Sequence, residues 1–344
     1  MTGSRIRIHS TLRHPAVRSL MEPKLHSSQL VLPIFVTGHR KEDRLIPGFE
    51  QEGSPIGTLR QYGFSEGYKS LLMDLEKLSN MGLRNIMLFG VVDEKDGRGK
   101  YADDVNNCPV INAMKVIRSD KKFDNMSLMS DVCLCEYTDH GHCGILDCGN
   151  PSSIDNDKSV ARIAEIAQSY AEAGADVVVP SDMMDGRIGA IRDTLNRSGN
   201  SHVAILAHSS KKASVLYSPF RQAVESTFNG NRKQYQQPVG SSTIAMRAME
   251  RDIAEGADMI MVKPSLMYGD LISKYAKYSP TTPVAAYLVS GEYKMLNDYG
   301  TATNSLNEIV RESHLSLVRA GASIIVSYFT PKILAELDTW SDRA

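Results

Sequence analysis

The chain is 344 residues long with 39 basic and 40 acidic side chains, and its formal net charge of −1 gives no overall pull toward nucleic acid or an anionic membrane surface. Hydrophobic residues make up 42% and charged residues 23%, the balance of a folded globular chain, and no apolar run is long enough to span a bilayer. Five cysteines, an odd number gathered mostly in one segment, argue against a dispersed extracellular disulfide framework and for a reducing compartment with bound metal, so the cytoplasm is the expected location.

Residues 1–28 read as an N-terminal arm. The stretch MTGSRIRIHSTLRHPAVRSLMEP is rich in arginine and has no acid before Glu22. It resembles an organelle transit peptide without the apolar stretch of a secretory signal. A cationic arm lying on the protein or on a neighbouring subunit fits it equally well.

From residue 29 to 344 the chain reads as one domain. Short apolar runs recur: LVLPIFV (30–36), NIMLFGV (85–91), LMSDVCL (128–134), DVVVPS (176–181), HVAILAH (202–208), MIMVKP (259–264), PVAAYLVS (283–290) and SIIVSYF (323–329). Continuous apolarity means burial on both faces, the habit of parallel strands covered by helices. Between the runs lie helical spacings, clearest in SVARIAEIAQSYAEAGAD, where Val160, Ile163, Ile166, Ala167 and Tyr170 recur at three- and four-residue steps. Three junctions, EAGADVVVP, AEGADMIMVKP and RAGASIIVSYF, each predict a helix end, a glycine cap and a buried strand. Eight strands alternating with helices predict a (β/α)8 TIM barrel with an extended N-terminal arm. A doubly wound sheet would call for a phosphate-binding glycine loop, which the sequence lacks. The polar, glycine-spotted segment at about 212–242 is too long for a plain connection and reads as an active-site lid.

Barrel active sites lie at the C-terminal strand ends. Those ends carry Asp131, Cys133 and Cys135 on the third strand, Ser181 and Asp182 on the fourth, and His208 and Lys211 on the fifth. Lys263, Ser290 and Tyr328 close the sixth, seventh and eighth. A lysine ending an apolar strand is desolvated, which lowers its pKa and lets the neutral amine attack a ketone to form a Schiff base. Lys263 is the sharpest such residue, and Lys211 supplies a second amine that should activate it and be activated in turn. Adjacent Lys212 complicates this, since the sequence does not say which of the two points inward, and one of the pair is expected to be a surface lysine. Asp131 and Asp182 could move protons, or act as caps and salt-bridge partners; Asp185 lies in capping range of the following helix.

The stretch SDVCLCEYTDHGHCG (130–144) concentrates Cys133, Cys135 and Cys143 with His140 and His142. Cysteines two apart on a strand end share a face, and Cys143 returns after a loop containing Gly141. Thiolates favour zinc, and three of them leave the open position that catalysis needs. On spacing alone a histidine could close the site; its place beside Asp131 and two lysines favours the open form. Cys108 and Cys148 read as free thiols. The lid carries Arg221, Arg232, Lys233 and Gln236, and its arginines suit a carboxylate substrate, because the guanidinium fork matches two oxygens. No pattern of nucleic-acid recognition accompanies them, and a small-molecule partner is expected.

Taken together, SDVCLCEYTDHGHCG, VVPSDMMDGRIGAIR, LYSPFR, MIMVKPS, VSGEY and SYFTP, in that order, resemble the porphobilinogen synthase (5-aminolevulinate dehydratase) family of the zinc-cysteine type. The resemblance runs from HPAVRSL to SYFTP. It implies a homo-octamer of TIM barrels whose arm wraps a neighbour, and condensation of two 5-aminolevulinate molecules to porphobilinogen with loss of two waters in tetrapyrrole (heme) synthesis. It further implies Schiff-base lysines at Lys211 and Lys263, Zn2+ on Cys133, Cys135 and Cys143, and paired aspartates at Asp131 and Asp182. Arg221, Arg232 and Gln236 would bind one substrate carboxylate, Ser290 and Tyr328 the other. The sequence departs from the family pattern at His208, Lys212, Ser218, Asn231, Gln234 and Leu288, and Ala248 stands where some members hold an acid for an allosteric magnesium. Those departures leave an impaired paralogue, kept as a binding or regulatory oligomer, as the alternative; a one-lysine class I aldolase would not need the thiols.

Overall fold

The computed structural model describes residues 8–340, so residues 1–7 of the expected arm and 341–344 of the barrel domain lie outside the described residues. Each of the eight apolar runs forms a parallel strand: β1 (Leu30–Thr37), β2 (Asn85–Val91), β3 (Ser127–Val132), β4 (Val177–Pro180), β5 (Ala204–Lys211), β6 (Met259–Lys263), β7 (Val284–Leu288) and β8 (Ile324–Ser327). They pair in chain order, and β8 closes on β1 with Ile325 opposite Leu30 and Val326 opposite Val31. The result is the predicted closed barrel. β1 is buried at every position, as its continuous apolarity requires.

The helix after β3 spans Asn156–Glu172 and buries Ile163, Ile166, Ala167 and Tyr170 against the sheet, while the Asp155 carboxylate caps it by accepting from the Lys158 amide. Gly174, Gly256 and Gly321 sit at the three repeated junctions with φ of 106°, 100° and 114°. A side chain there would be strained, so glycine ends each helix and turns the chain into the next strand.

Some features escape the periodic reading. Two short strands, Arg44–Leu45 and Arg60–Tyr62, extend the sheet beside β1, and Ile145–Asp147 pairs with Asn150–Asp155 as a hairpin outside the barrel. β3 ends at Val132, so Cys133 and Cys135 lie in the turn beyond it rather than on the strand. Asp185 does not cap the next helix: Gly186, with φ of 83°, takes that position, and Asp185 pairs with Arg251 instead. The arm carries a helix, Pro15–Met21, and meets the body through a Glu22–Arg311 ion pair and buried Leu25. Among the described residues no helix is long and apolar enough to cross a membrane.

Candidate active site

Lys211 and Lys263 end adjacent strands in direct register, which places two amines side by side in the barrel mouth. Both are buried. The Lys263 ammonium lies 3.8 Å from the Tyr287 ring centroid and 5.6 Å from that of Phe220, a lid residue. Ring faces favour the charged amine, but burial and the Lys211 charge outweigh them and bring the Lys263 pKa down to about 8. The expected mutual activation is one-sided. Burial works to lower Lys211 as well, yet the negative charge of Cys143, Cys133 and Cys135 prevails and holds it at about 12. Its ammonium donates to the Ser181 carbonyl. Neither of the adjacent lysines is the expected surface residue, for Lys212 is buried as well, with its ammonium donating to the Ser241 carbonyl at the far end of the 212–242 segment.

Asp131 accepts from the Ser181 hydroxyl at 3.1 Å, and burial, reinforced by the nearby Glu136 carboxylate, raises its pKa to about 7. Glu136, in the turn after β3, is itself buried and raised by desolvation. Its position next to Cys135 is the one signal of this role that the sequence carries. Asp182 stands apart from this pair. It accepts from the Met184 amide at 2.9 Å and lies 3.4 Å from the guanidinium of Arg187, and burial raises its pKa to about 6. Arg187, fully buried and unremarked in the sequence, also approaches Asp252 to 3.5 Å and donates to the His208 carbonyl. His208 is completely buried on β5, and burial with three nearby cations keeps its imidazole neutral.

The three predicted thiols converge. The sulfurs of Cys133, Cys135 and Cys143 all lie within 4.8 Å of one another, and those of Cys133 and Cys135 are 3.3 Å apart without a disulfide. Hydrogen bonds from Cys133 and Cys135 bring Cys143 well below the usual thiol range, helped by the Arg232 and Lys211 charges. A buried triangle of soft donors facing two cations fits a thiolate-bound metal with one position free. Neither histidine joins it: the His142 Nδ1 is 3.0 Å from the Tyr235 hydroxyl, and the His140 Nδ1 accepts from the His142 amide. Oxygen donors stand close by, since Asp131 and Glu136 could share an ion with Cys133. Cys108 is a buried free thiol and Cys148 an exposed one.

The segment 212–242, expected as a lid, packs over the mouth. Its helix Ser218–Ala223 places Phe220 above Lys263, and Arg221 and Arg232 stack on Phe228 with 5.0 and 4.6 Å between guanidinium carbon and ring centroid. Arg232 also donates to the Gly141 carbonyl at 2.7 Å, and the buried Gln236 amide nitrogen has no hydrogen-bond partner. Ser290 accepts from the Phe220 amide at 2.9 Å and donates to the Leu216 carbonyl. Tyr328 touches the Tyr287 hydroxyl at 3.3 Å. The enclosed cavity has room for about one water, ≈ 20 Å³. Asp131, Cys135, Glu136, Lys211, Lys263 and the two lid arginines line it, whereas Asp182, Gln236, Ser290 and Tyr328 do not.

Comparison with known proteins gives a consistent result. A family model described as Delta-aminolevulinic acid dehydratase matches residues 5–336. A protein of that name from Dictyostelium discoideum is 41% identical over 336 residues, covering 95% of each chain. One from Pongo abelii is 40% identical over 95% of this chain and 96% of its own. The crystal structure of delta-aminolevulinic acid dehydratase (porphobilinogen synthase) from Toxoplasma gondii ME49, in complex with the reaction product porphobilinogen, superposes with a TM-score of 0.88 at 33% identity. That match covers 97% of this chain and 92% of the other.

Proposed function

The chain belongs to the delta-aminolevulinic acid dehydratase family, and from that premise we propose how its own residues carry out the reaction. The activity is the condensation of two 5-aminolevulinate molecules to porphobilinogen, with one carbon–carbon bond and one carbon–nitrogen bond closing the ring and two waters leaving. The observation that carries the mechanistic reading is the in-register pair Lys211 and Lys263, one amine near neutrality and the other cationic.

Lys263 acts first. Its neutral form attacks the ketone carbon of one substrate, the oxygen leaves as water, and a Schiff base results. Lys211 holds the second substrate and forms its imine after giving up a proton. Asp131, with a pKa of about 7, is poised to take and return protons in the same cavity, with Glu136 keeping it from ionising fully. Asp182 orients the site through Arg187 rather than by touching substrate. Arg221, Arg232 and Gln236 bind one carboxylate, for which the two stacked guanidinium groups and the unpartnered Gln236 amide are suited donors. Ser290 and Tyr328 take the other, and two lid groups, Phe220 and Leu216, must let go of Ser290 first. A space of one water cannot hold two substrates, so the lid opens for entry and closes to exclude water from the imines.

Cys133, Cys135 and Cys143 would hold the family's metal, read here as Zn2+, with thiolate softness as the support. When bound, zinc supplies Lewis acidity beside Lys211. The exposed Ile8, Leu12, Leu20 and Met21 on the arm support assembly with further copies, read as a homo-octamer, and the expected compartment is the cytoplasm.

Incubation with 5-aminolevulinate and borohydride, followed by peptide mass analysis and a porphobilinogen assay, tests the reading. A reduced adduct on Lys263 together with product formation is expected. Product without any trapped adduct on Lys263 would overturn the assignment of the nucleophile.

A further inference from the structure

Cys133 and Cys135 lie in the turn within three residues of the end of β3, but Cys143 lies farther along in an irregular loop and something must hold its sulfur against theirs. Much of the holding comes from the lid. The Cys143 amide donates to the Tyr235 hydroxyl at 3.3 Å, and the same hydroxyl lies 3.0 Å from the Nδ1 of His142. The Thr227 hydroxyl donates to the Thr138 carbonyl at 3.1 Å, and Arg232 to that of Gly141 at 2.7 Å. Gly141 itself has φ of 67°, and a Cβ built on it would stand 2.6 Å from the Phe228 amide, so the loop backbone is pressed directly against the lid. On its other side the lid is anchored at Glu225, whose carboxylate receives a fork of two hydrogen bonds from Arg40.

We propose that Tyr235 is a positioning residue that couples closure of the lid to occupancy of the three-thiol site by zinc. The proposal rests on the zinc reading above. A lid that is closed sets Cys143 in place and strengthens zinc binding; by reciprocity, zinc on the thiols draws the loop into the form that receives Tyr235 and favours the closed lid. Tyr235 touches neither reacting atom nor the cavity, and acts through the loop it grips.

The full-length wild type, Tyr235→Phe and Thr227→Val are stripped with a chelator under reducing conditions and titrated with zinc alone. Zinc affinity is read by competition with a chromophoric chelator, and lid opening by the rate of tryptic cleavage after Arg232 or exposed Lys233. Wild type should bind zinc and show slower lid cleavage as it fills. Tyr235→Phe should bind zinc roughly tenfold more weakly, the scale set by outer-shell partners of metal ligands, and its cleavage should lose most of its response to zinc. Thr227→Val, which keeps the tyrosine, should show a smaller loss in the same direction and decides the matter if Tyr235→Phe does not fold. Unchanged affinity and unchanged zinc-dependent protection in both variants would overturn the coupling. If wild type binds no zinc, the three-thiol reading falls with it; Cys143→Ser, which should lose zinc without Tyr235 being altered, tells the two failures apart.

Discussion

Replacing Lys211 tests how its neighbour becomes a nucleophile. At pH 7 an amine with a pKa of about 8 is neutral in roughly one molecule in ten, against about three in ten thousand at the ordinary 10.5. Part of that gain comes from burial and part from the Lys211 charge. The two side chains leave adjacent strands in register. With strands about 4.8 Å apart, the two charges sit on the order of 6 Å from each other. At an effective dielectric constant of about 20 their repulsion is roughly 2.8 kcal/mol, or about two pK units. Lys211 holds its proton up to about pH 12, so this push is constant through the working range. Lys211→Met should therefore move the midpoint of the Lys263 titration upward by roughly one to two units. Trapping of 5-aminolevulinate on Lys263 by borohydride at pH 7 should fall roughly 10- to 100-fold. The assay is the pH profile of adduct formation at Lys263, which needs no turnover. Lys211→Arg keeps the charge while removing the second amine, and should leave the midpoint near that of the wild type. A midpoint that stays put or falls in Lys211→Met would refute the account of Lys263.

Two further changes probe the support of the site. Arg187→Met leaves Asp182 buried without its cation, while Asp252 keeps Arg251 at 2.9 Å, and should cost about 3 kcal/mol in denaturant unfolding; a loss under about 1 kcal/mol would mean that Asp182 is solvated or protonated. Glu225→Gln weakens the Arg40 fork at the lid's edge, and a loss on the order of 1 kcal/mol should raise the KM for 5-aminolevulinate roughly fivefold with kcat little changed. Parallel falls in kcat and KM would instead place Glu225 in closure during the chemical step.

The barrel was legible because its signal is local. A strand buried on both faces is apolar at every position, and eight such runs separated by helical periods leave few other arrangements. The glycine junctions were legible for the same reason, since a left-handed cap is a property of one residue. Strands of two or three residues such as Arg44–Leu45 and Arg60–Tyr62 were not, because they are too short to show a period and exist only through pairing with each other and with β1. The site followed the same division. Lys211, Lys263 and the three cysteines carry their chemistry in their residue types and positions, and the fold brings them together as the strand order requires.

What stayed hidden depends on partners distant in the chain. The sequence offers Lys212 as one of two equivalent neighbours, and only the run of the lid shows that its ammonium is spoken for by Ser241. Glu136 looks like any acid in a turn until burial beside Asp131 makes the two compete for one proton's worth of charge. Arg187 sits in a helix start that reads as surface, yet two acids from different barrel segments enclose it. Tyr235 is separated from His142 by 93 positions, and no periodicity links them. Its importance follows from a requirement the cysteine spacing already contained. Two thiols of the triad lie in the turn directly after β3 and the third is carried farther along the loop, so contacts from outside the motif help to position it. Among the described residues the lid reaches that loop through Tyr235, and the segment after β2 grips its start through the pairing of Asp96 with Thr138. The metal motif and the lid are therefore two halves of one device, joined where the Tyr235 hydroxyl meets the Cys143 amide and His142.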